Sequence, residues 1–197
     1  VRLILASASP RRKKLLKELF PDFEVRPADI EEVALPGETP LRCAERLAME
    51  KALKARETSK EGFILAADTL VTINGLIFGK PKGPIEAEEM LKTLMGKTHS
   101  VITAFCILDA SNGKALVRSV ESRVTIKNLS QEEISAYIES KEPFDKAGAY
   151  AVQGGTHAKR RGSGGMFVEK VEGSYTNVVG LPMDEVKESF EKLGVLI

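Results

Sequence analysis

The sequence has no tryptophan, two cysteines and two histidines among its 197 residues, and aromatic residues make up only 6%. Few aromatics leave little with which to stack the bases of a single-stranded nucleic acid. Cys43 and Cys106 form no metal-ligand spacing, and with the histidines far apart no structural zinc site is expected. Cys106 lies in an apolar run and reads as a reduced core residue, which points to a reducing, cytoplasmic setting. A dominant charge is also missing. The 29 lysines and arginines face 28 aspartates and glutamates, for a net charge of +1. Wholesale binding along a nucleic-acid backbone is therefore not expected, and any anion site must be local. No run approaches the roughly 18–20 consecutive apolar residues of a membrane helix, so no membrane partner is expected. Val1 leads straight into Leu3-Ile4-Leu5-Ala6 with no basic segment ahead of a long apolar one, so no signal peptide is expected either.

What is present is ordinary globular composition, 43% hydrophobic and 29% charged. The length predicts one domain over 1–197, with room for two lobes. Leu3-Ile4-Leu5-Ala6 reads as a buried strand. Ser9-Pro10 starts a helix to about Leu19, with serine as N-cap and proline in the first turn. Phe23 to Arg26 reads as a second strand, and Thr39-Pro40 repeats the helix-start signal for a helix to about Arg56. Phe63-Ile64-Leu65-Ala66-Ala67 predicts an apolar strand ending at Asp68-Thr69. Leu70–Ile73 and Leu76–Phe78 flank Asn74-Gly75, a strong hairpin signal. A helix follows Pro84 and stops at Gly96. Two long strands, Ser100–Leu108 and Lys114–Ile126, join through Ser111-Asn112-Gly113. Ser130 and Glu133 form a capping box for a helix to about Ser140. A strand over Met166–Glu172 and a helix over Met183–Leu193 close the chain. Alternating strands and helices giving way to hairpins predict an α/β fold with a mixed sheet and flanking helices.

Five features carry candidate chemistry. Ser7-Ala8-Ser9-Pro10-Arg11-Arg12-Lys13-Lys14 puts four cations in the first turn of a helix, where each costs about 0.3–1 kcal/mol against the macrodipole. A bound polyphosphate would offset that cost; a solvated basic face with a serine cap fits the same residues. Lys51 falls on the apolar face of Leu41, Ala44, Leu47, Ala48, Ala52 and Ala55, so it must snorkel, pair with an anion or line a cleft. Asp68, at the end of a buried strand, suits a general base or merely a cap for Thr69. Gly79-Lys80-Pro81 lets a lysine reach back along the sheet edge, or is a plain surface turn. Gln153 follows the dense segment Glu142–Val152 and can present donor and acceptor together to a nucleobase edge, or belong to a structural loop. Glu31, Glu32, Asp68 and Asp145 are the acids available to magnesium, which bridges phosphates to one or two carboxylates.

In this order and spacing the segments resemble the Maf family of nucleoside triphosphate pyrophosphatases, nearly end to end. The resemblance rests on Leu5–Arg12, Glu31, Ala48-Met49-Glu50-Lys51-Ala52, Ala67-Asp68-Thr69 and Gly79-Lys80-Pro81. It continues through Gly96-Lys97-Thr98-His99-Ser100-Val101, Glu142-Pro143 with Asp145–Tyr150, and Gly173-Ser174-Tyr175 with Asn177–Pro182. It implies hydrolysis of a nucleoside triphosphate between the α and β phosphates, with magnesium or manganese, in a cleft of a two-lobed fold shared with the inosine triphosphate pyrophosphatases. Homodimers occur in the family. It also implies removal of modified or excess nucleotides and a link to septum formation. Asp145–Tyr150 followed by Gln153-Gly154 resembles the dTTP and UTP branch, not the 7-methyl-GTP branch. By the same resemblance, Asp68 is the base that activates water. Ser7, Arg12, Lys51 and Lys80 hold the triphosphate. Arg11, Thr69 and Gln153 set base preference, and Glu31 with Asp68 binds the metal. The chain departs from the family in extra residues around Thr156–Gly164, read as a surface insertion or as a lid over the phosphates.

Other readings compete. A preference for 7-methyl-GTP or inosine triphosphate would keep the chemistry and change the base. A non-catalytic nucleotide-binding regulator of septum formation would need no Asp68 chemistry. Local nucleic-acid contact through Arg11–Lys14 and Lys159–Arg161 is opposed by the charge balance and the few aromatics.

Overall fold

A computed structural model describes residues 2–152 and 167–195. In chain order the regular elements are β1 (Leu3–Leu5), α1 (Pro10–Leu16), β2 (Glu24–Val25), α2 (Pro40–Arg56), β3 (Phe63–Ile73), β4 (Leu76–Phe78) and α3 (Pro84–Leu94). They continue with β5 (Thr98–Asp109), β6 (Ala115–Ile126), α4 (Gln131–Glu139), β7 (Val168–Glu172), α5 (Tyr175–Val179) and α6 (Met183–Lys192). Among the described residues the strands form one sheet in the order β2-β1-β3-β5-β6-β7, with β4 paired to β3. The sheet is mixed: β1 pairs in parallel with β2 and β3, whereas β3–β4 and β6–β7 are antiparallel. No helix of the described residues is long and apolar enough to cross a membrane.

The chain divides into two compact units. The first comprises Val1–Thr69, Ile102–Val120 and Thr176–Ile197. Parallel strands need crossovers, and here α1 and α2 supply them on either side of β2. Both helices start as expected. Ser9 Oγ accepts from Arg12 N and Thr39 Oγ1 from Arg42 N, each with proline in the first turn. The core of this unit holds Leu3, Ile4, Leu5, Leu16, Leu47, Ile64, Leu65 and Phe105. Phe190 of α6 is fully buried and meets Phe20 and Phe63 edge-on, with centroids 4.9 and 6.0 Å apart.

The second unit comprises Leu70–Val101 and Glu121–Tyr175. Its β3–β4 hairpin turns at Asn74 and Gly75, both at positive φ (50° and 79°), as a tight two-residue loop requires. Ser130 and Glu133 make the reciprocal capping box of α4. Tyr137 of α4 packs perpendicular to Phe167, centroids 5.0 Å apart.

α5 is a short helix that the sequence does not announce, and two further differences from expectation bear on the site. α1 stops at Leu16 instead of about Leu19. Beyond it the turn is mixed, with three-residue bonds from Glu18 N to Leu15 O at 3.0 Å and Leu19 N to Leu16 O at 3.1 Å and a four-residue bond from Phe20 N to Leu16 O at 2.9 Å, and Pro21, which disfavours the α region for the residue before it, ends the run. The apolar strand does not end at Asp68-Thr69. It runs unbroken from Phe63 to Ile73. The β-branched Thr69, Val71, Thr72 and Ile73 favour extended backbone, and Asp68 meets its counter-charge sideways in α2, so no break is needed. The parallel pairing with β1 nevertheless stops at Leu5–Leu65, three residues before Asp68.

Candidate active site

The candidate residues of the first unit assemble where β1 gives out. Lys51 lies on the apolar stripe of α2, among Ala44, Leu47, Ala48, Ala52 and Ala55, and is buried with them. A buried ammonium must be paired. Lys51 Nζ meets Asp68 Oδ1 at 2.6 Å and Glu32 Oε1 at 2.8 Å. Asp68 is also buried, only 3% exposed. Its second oxygen, Oδ2, is buried without a hydrogen-bond partner among the described residues. Leaving a buried polar atom unsatisfied costs about 1–3 kcal/mol, and more when it is charged. One carboxylate oxygen is thus anchored and the other left open, as a base or a metal ligand requires.

Arg12 turns back from the start of α1 into the same unit. Its Nε donates to Gly180 O at 2.7 Å, its Nη1 to Ser7 Oγ at 3.3 Å and its Nη2 to Thr69 Oγ1 at 2.9 Å. Burial lowers the Arg12 pKa from its ordinary value, opposed by the charges of Asp68 and Glu32; a guanidinium stays protonated through such a shift. Gly180 sits at φ 126°, a conformation open to glycine, which is how its carbonyl comes to face the guanidinium. Thr69 Oγ1 lies 2.9 Å from Thr103 Oγ1. Thr103 in turn donates through Oγ1 to Asn177 O at 2.9 Å, while its N donates to Asn177 Oδ1 at 3.1 Å.

The sequence-predicted residues fall into three groups. Ser7, Arg12 and Thr69 are joined by hydrogen bonds, and Lys51 and Asp68 by an ion pair. Arg11 is half-buried beside Arg12, and Glu31 is exposed while its neighbour Glu32 makes the ion pair to Lys51. Lys80 belongs to the second unit. There Gly79 O accepts from Gly148 N at 3.0 Å, which fixes the backbone next to Lys80, and Asp145 pairs with Lys146 at 2.6 Å. Gln153 and the insertion Thr156–Gly164 lie outside the described residues.

Residues 2–193 match the family model described as Maf-like protein. The chain belongs to the Maf family. Among its relatives, a protein of Geobacter sp. (strain M21) named dTTP/UTP pyrophosphatase is 48% identical over 98% of this chain and 96% of that protein. Proteins of the same name from Citrifermentans bemidjiense and Syntrophus aciditrophicus are 46% and 44% identical, over 98% and 99% of this chain and 96% and 91% of theirs. The solved structure of the Staphylococcus aureus Ham1 protein is similar with a TM-score of 0.48 and 18% identity, over 65% of this chain and 73% of that one.

The donors of this Maf chain are few for a metal. Among the described residues, no group of three or more histidines, cysteines or acids could hold an ion by itself. Magnesium does not need one, because it takes one or two carboxylates and completes its shell with phosphates and water. The open, buried Oδ2 of Asp68 fits that kind of site.

Thr103, Asn177 and Gly180 carry no assigned role in the sequence, and Glu32 is read there only as one of four acids available to magnesium. Glu32 was one acid of a pair, told from Glu31 only by the direction of its side chain. Thr103 lies inside an apolar strand that reads as core. Asn177 and Gly180 belong to a recognisable segment, but nothing local says that they face Thr103 and Arg12.

Proposed function

We propose that this protein hydrolyses dTTP and UTP, together with modified uridine and thymidine triphosphates, to the nucleoside monophosphate and pyrophosphate. The observation that carries the chemistry is the buried Asp68 carboxylate, with Oδ1 held by Lys51 at 2.6 Å and Oδ2 without a partner among the described residues. The names of the full-length relatives support the choice of bases.

Asp68 Oδ2 takes the proton of an attacking water as the water oxygen bonds to phosphorus, and the α–β bridging oxygen departs with pyrophosphate. Lys51 occupies Oδ1, so it directs the proton to Oδ2 and holds the carboxylate in one rotamer. Ser7, Arg11, Arg12, Lys51 and Lys80 supply the positive and polar groups for the triphosphate. Magnesium or manganese, when bound, neutralises charge on the phosphate oxygens. Asp68 and Glu31, with Glu32 beside them, are the carboxylates that would hold it. Thr69 and Arg11 would face the base together with Gln153.

The protein acts on free nucleotides in the cytoplasm, a setting supported by the free, buried Cys43 and Cys106. Homodimers occur in the family, and sedimentation tests that assembly for this chain. The deciding experiment is pyrophosphate release from a panel of nucleoside triphosphates with magnesium or manganese, with Asp68→Asn as control. Release centred on dTTP and UTP and lost in Asp68→Asn is expected. Release only from 7-methyl-GTP or inosine triphosphate would overturn the choice of base, and full activity in Asp68→Asn would overturn the mechanism.

A further inference from the structure

We propose that Thr103 and Asn177 are positioning residues that make the Thr69 hydroxyl an obligatory hydrogen-bond acceptor, and so select nucleobases that present an N–H against those that do not. The inference rests on the reading of Thr69 as a base-facing residue and deepens it.

One chain of bonds fixes where each proton goes. Asn177 O is a carbonyl and can only accept, so Thr103 Oγ1 spends its proton there, at 2.9 Å. The bond between Thr103 and Thr69, also 2.9 Å, is therefore donated by Thr69. Thr69 Oγ1 then accepts from Arg12 Nη2 at 2.9 Å, since a guanidinium can only donate. The Thr69 hydroxyl has one proton and two lone pairs. The proton and one lone pair are committed, which leaves one lone pair. Thr103 and Asn177 are fully buried, so water does not compete for the bond that takes the Thr103 proton. Asn177 is itself fixed, its Oδ1 accepting from Thr103 N at 3.1 Å.

A hydroxyl that can only accept pairs with the imide N3–H of uracil and thymine. It meets the N3 of cytosine lone pair to lone pair. A freely rotating threonine would serve either base. A site whose polar group is fixed in one role rejects the mismatched partner far more strongly than one that can rotate.

The test is Thr103→Val, which keeps the shape and the backbone N–H and removes the hydroxyl, with Thr103→Ser as the conservative control. Should the valine variant not fold, Thr103→Ala carries the test. The reading is the preference for UTP over CTP, taken both as kcat/KM and as equilibrium binding in the Asp68→Asn background. The proposal expects Thr103→Val to lower that preference about tenfold, through KM more than kcat, and Thr103→Ser to restore it. Thr69→Val should lose the same preference, with the double variant no worse than either single one. An unchanged preference in a folded Thr103→Val, or an equal loss on both nucleotides, overturns the proposal. A wild-type protein that binds UTP over CTP but hydrolyses neither overturns the proposed activity and leaves the relay standing. A wild-type protein with no binding preference overturns both.

Discussion

The Arg46 guanidinium bridges the Glu38 carboxylate at two points, Nε to Oε1 at 2.7 Å and Nη2 to Oε2 at 2.8 Å. The same Nη2 donates to Val33 O at 2.8 Å, and Leu35 N donates to Glu38 Oε2 at 3.0 Å. Arg46 thus ties the loop over 33–38 to α2, five residues before Lys51. Glu32, at the head of that loop, is the residue that meets Lys51. The Arg46 bonds hold Glu38 down to about 2, below its ordinary 4.5. A carboxylate depressed in this way stabilises the fold fully above the unfolded value and loses that contribution as pH falls toward the folded one. Glu38→Gln is therefore expected to melt below wild type by a constant margin at neutral pH. The margin should shrink between about pH 4.5 and 2. Melting curves across that window decide it, and a pH-independent margin would refute the assignment.

The Lys51–Asp68 pair makes a different demand. Breaking a buried pair by removing one partner typically costs about 3–5 kcal/mol, because the other charge is left uncompensated. Lys51→Met should be destabilised by that order, with Asp68 then facing Glu32. Lys51→Met with Asp68→Leu should recover much of the loss, since an apolar replacement of the whole pair is often near neutral. Asp68→Asn keeps the shape and should lose about 10²–10⁴ in rate with nucleotide binding retained. Chemical denaturation of wild type, Lys51→Met, Asp68→Leu and the double variant gives the cycle. A double variant less stable than Lys51→Met would show that the pair is not the source of the cost.

How much of this was legible beforehand depended on the range of the interaction. Ser9-Pro10, Thr39-Pro40, Asn74-Gly75 and Ser130 with Glu133 act within four residues, and the elements they predict are present. Lys51 was legible because a 3.6-residue period alone places it on an apolar face. Asp68 was legible as a residue but not in its setting. A charge inside an apolar run reads as a strand end until its partner is known, and that partner comes from another element. The Arg12–Gly180, Arg12–Thr69 and Thr103–Asn177 contacts join residues 168, 57 and 74 apart. No periodicity or turn chemistry connects positions at that distance, so only the folded chain reveals the relay.

His99 offers a test inside the second unit. Its Nε2 lies 2.6 Å from Tyr150 Oη, and its Nδ1 is buried without a partner among the described residues. Burial pushes its pKa down to about 4 from an ordinary 6.5. Between these values the unfolded chain binds a proton that the folded chain does not, so stability rises with pH across the window and falls on acidification. A shift of this size corresponds to on the order of 3 kcal/mol lost between pH 6.5 and 4. His99→Gln cannot titrate and should show a flatter stability profile there, even if less stable at neutral pH. An equal slope in wild type and variant would assign the acid sensitivity to other groups.

Gly148 separates two costs that a glycine can hide. It sits at φ 68°, and a Cβ there would come within 2.9 Å of Val71 Cγ2. Its N–H also holds Gly79 O, next to Lys80. Gly37 has a similar φ of 76°, but a Cβ there would meet nothing within 4 Å. Gly37→Ala should therefore cost only the backbone strain, about 1 kcal/mol. Gly148→Ala adds the displacement of a buried valine, worth about 1–3 kcal/mol more. If Lys80 holds phosphate, Gly148→Ala should also raise KM for the nucleotide, because the strain is relieved through the turn that carries Lys80. Gly37→Ala should leave KM unchanged. Equal destabilisation of the two variants would mean that the contact with Val71 relaxes freely. A normal KM in a destabilised Gly148→Ala would detach Lys80 from the Gly79–Gly148 bond.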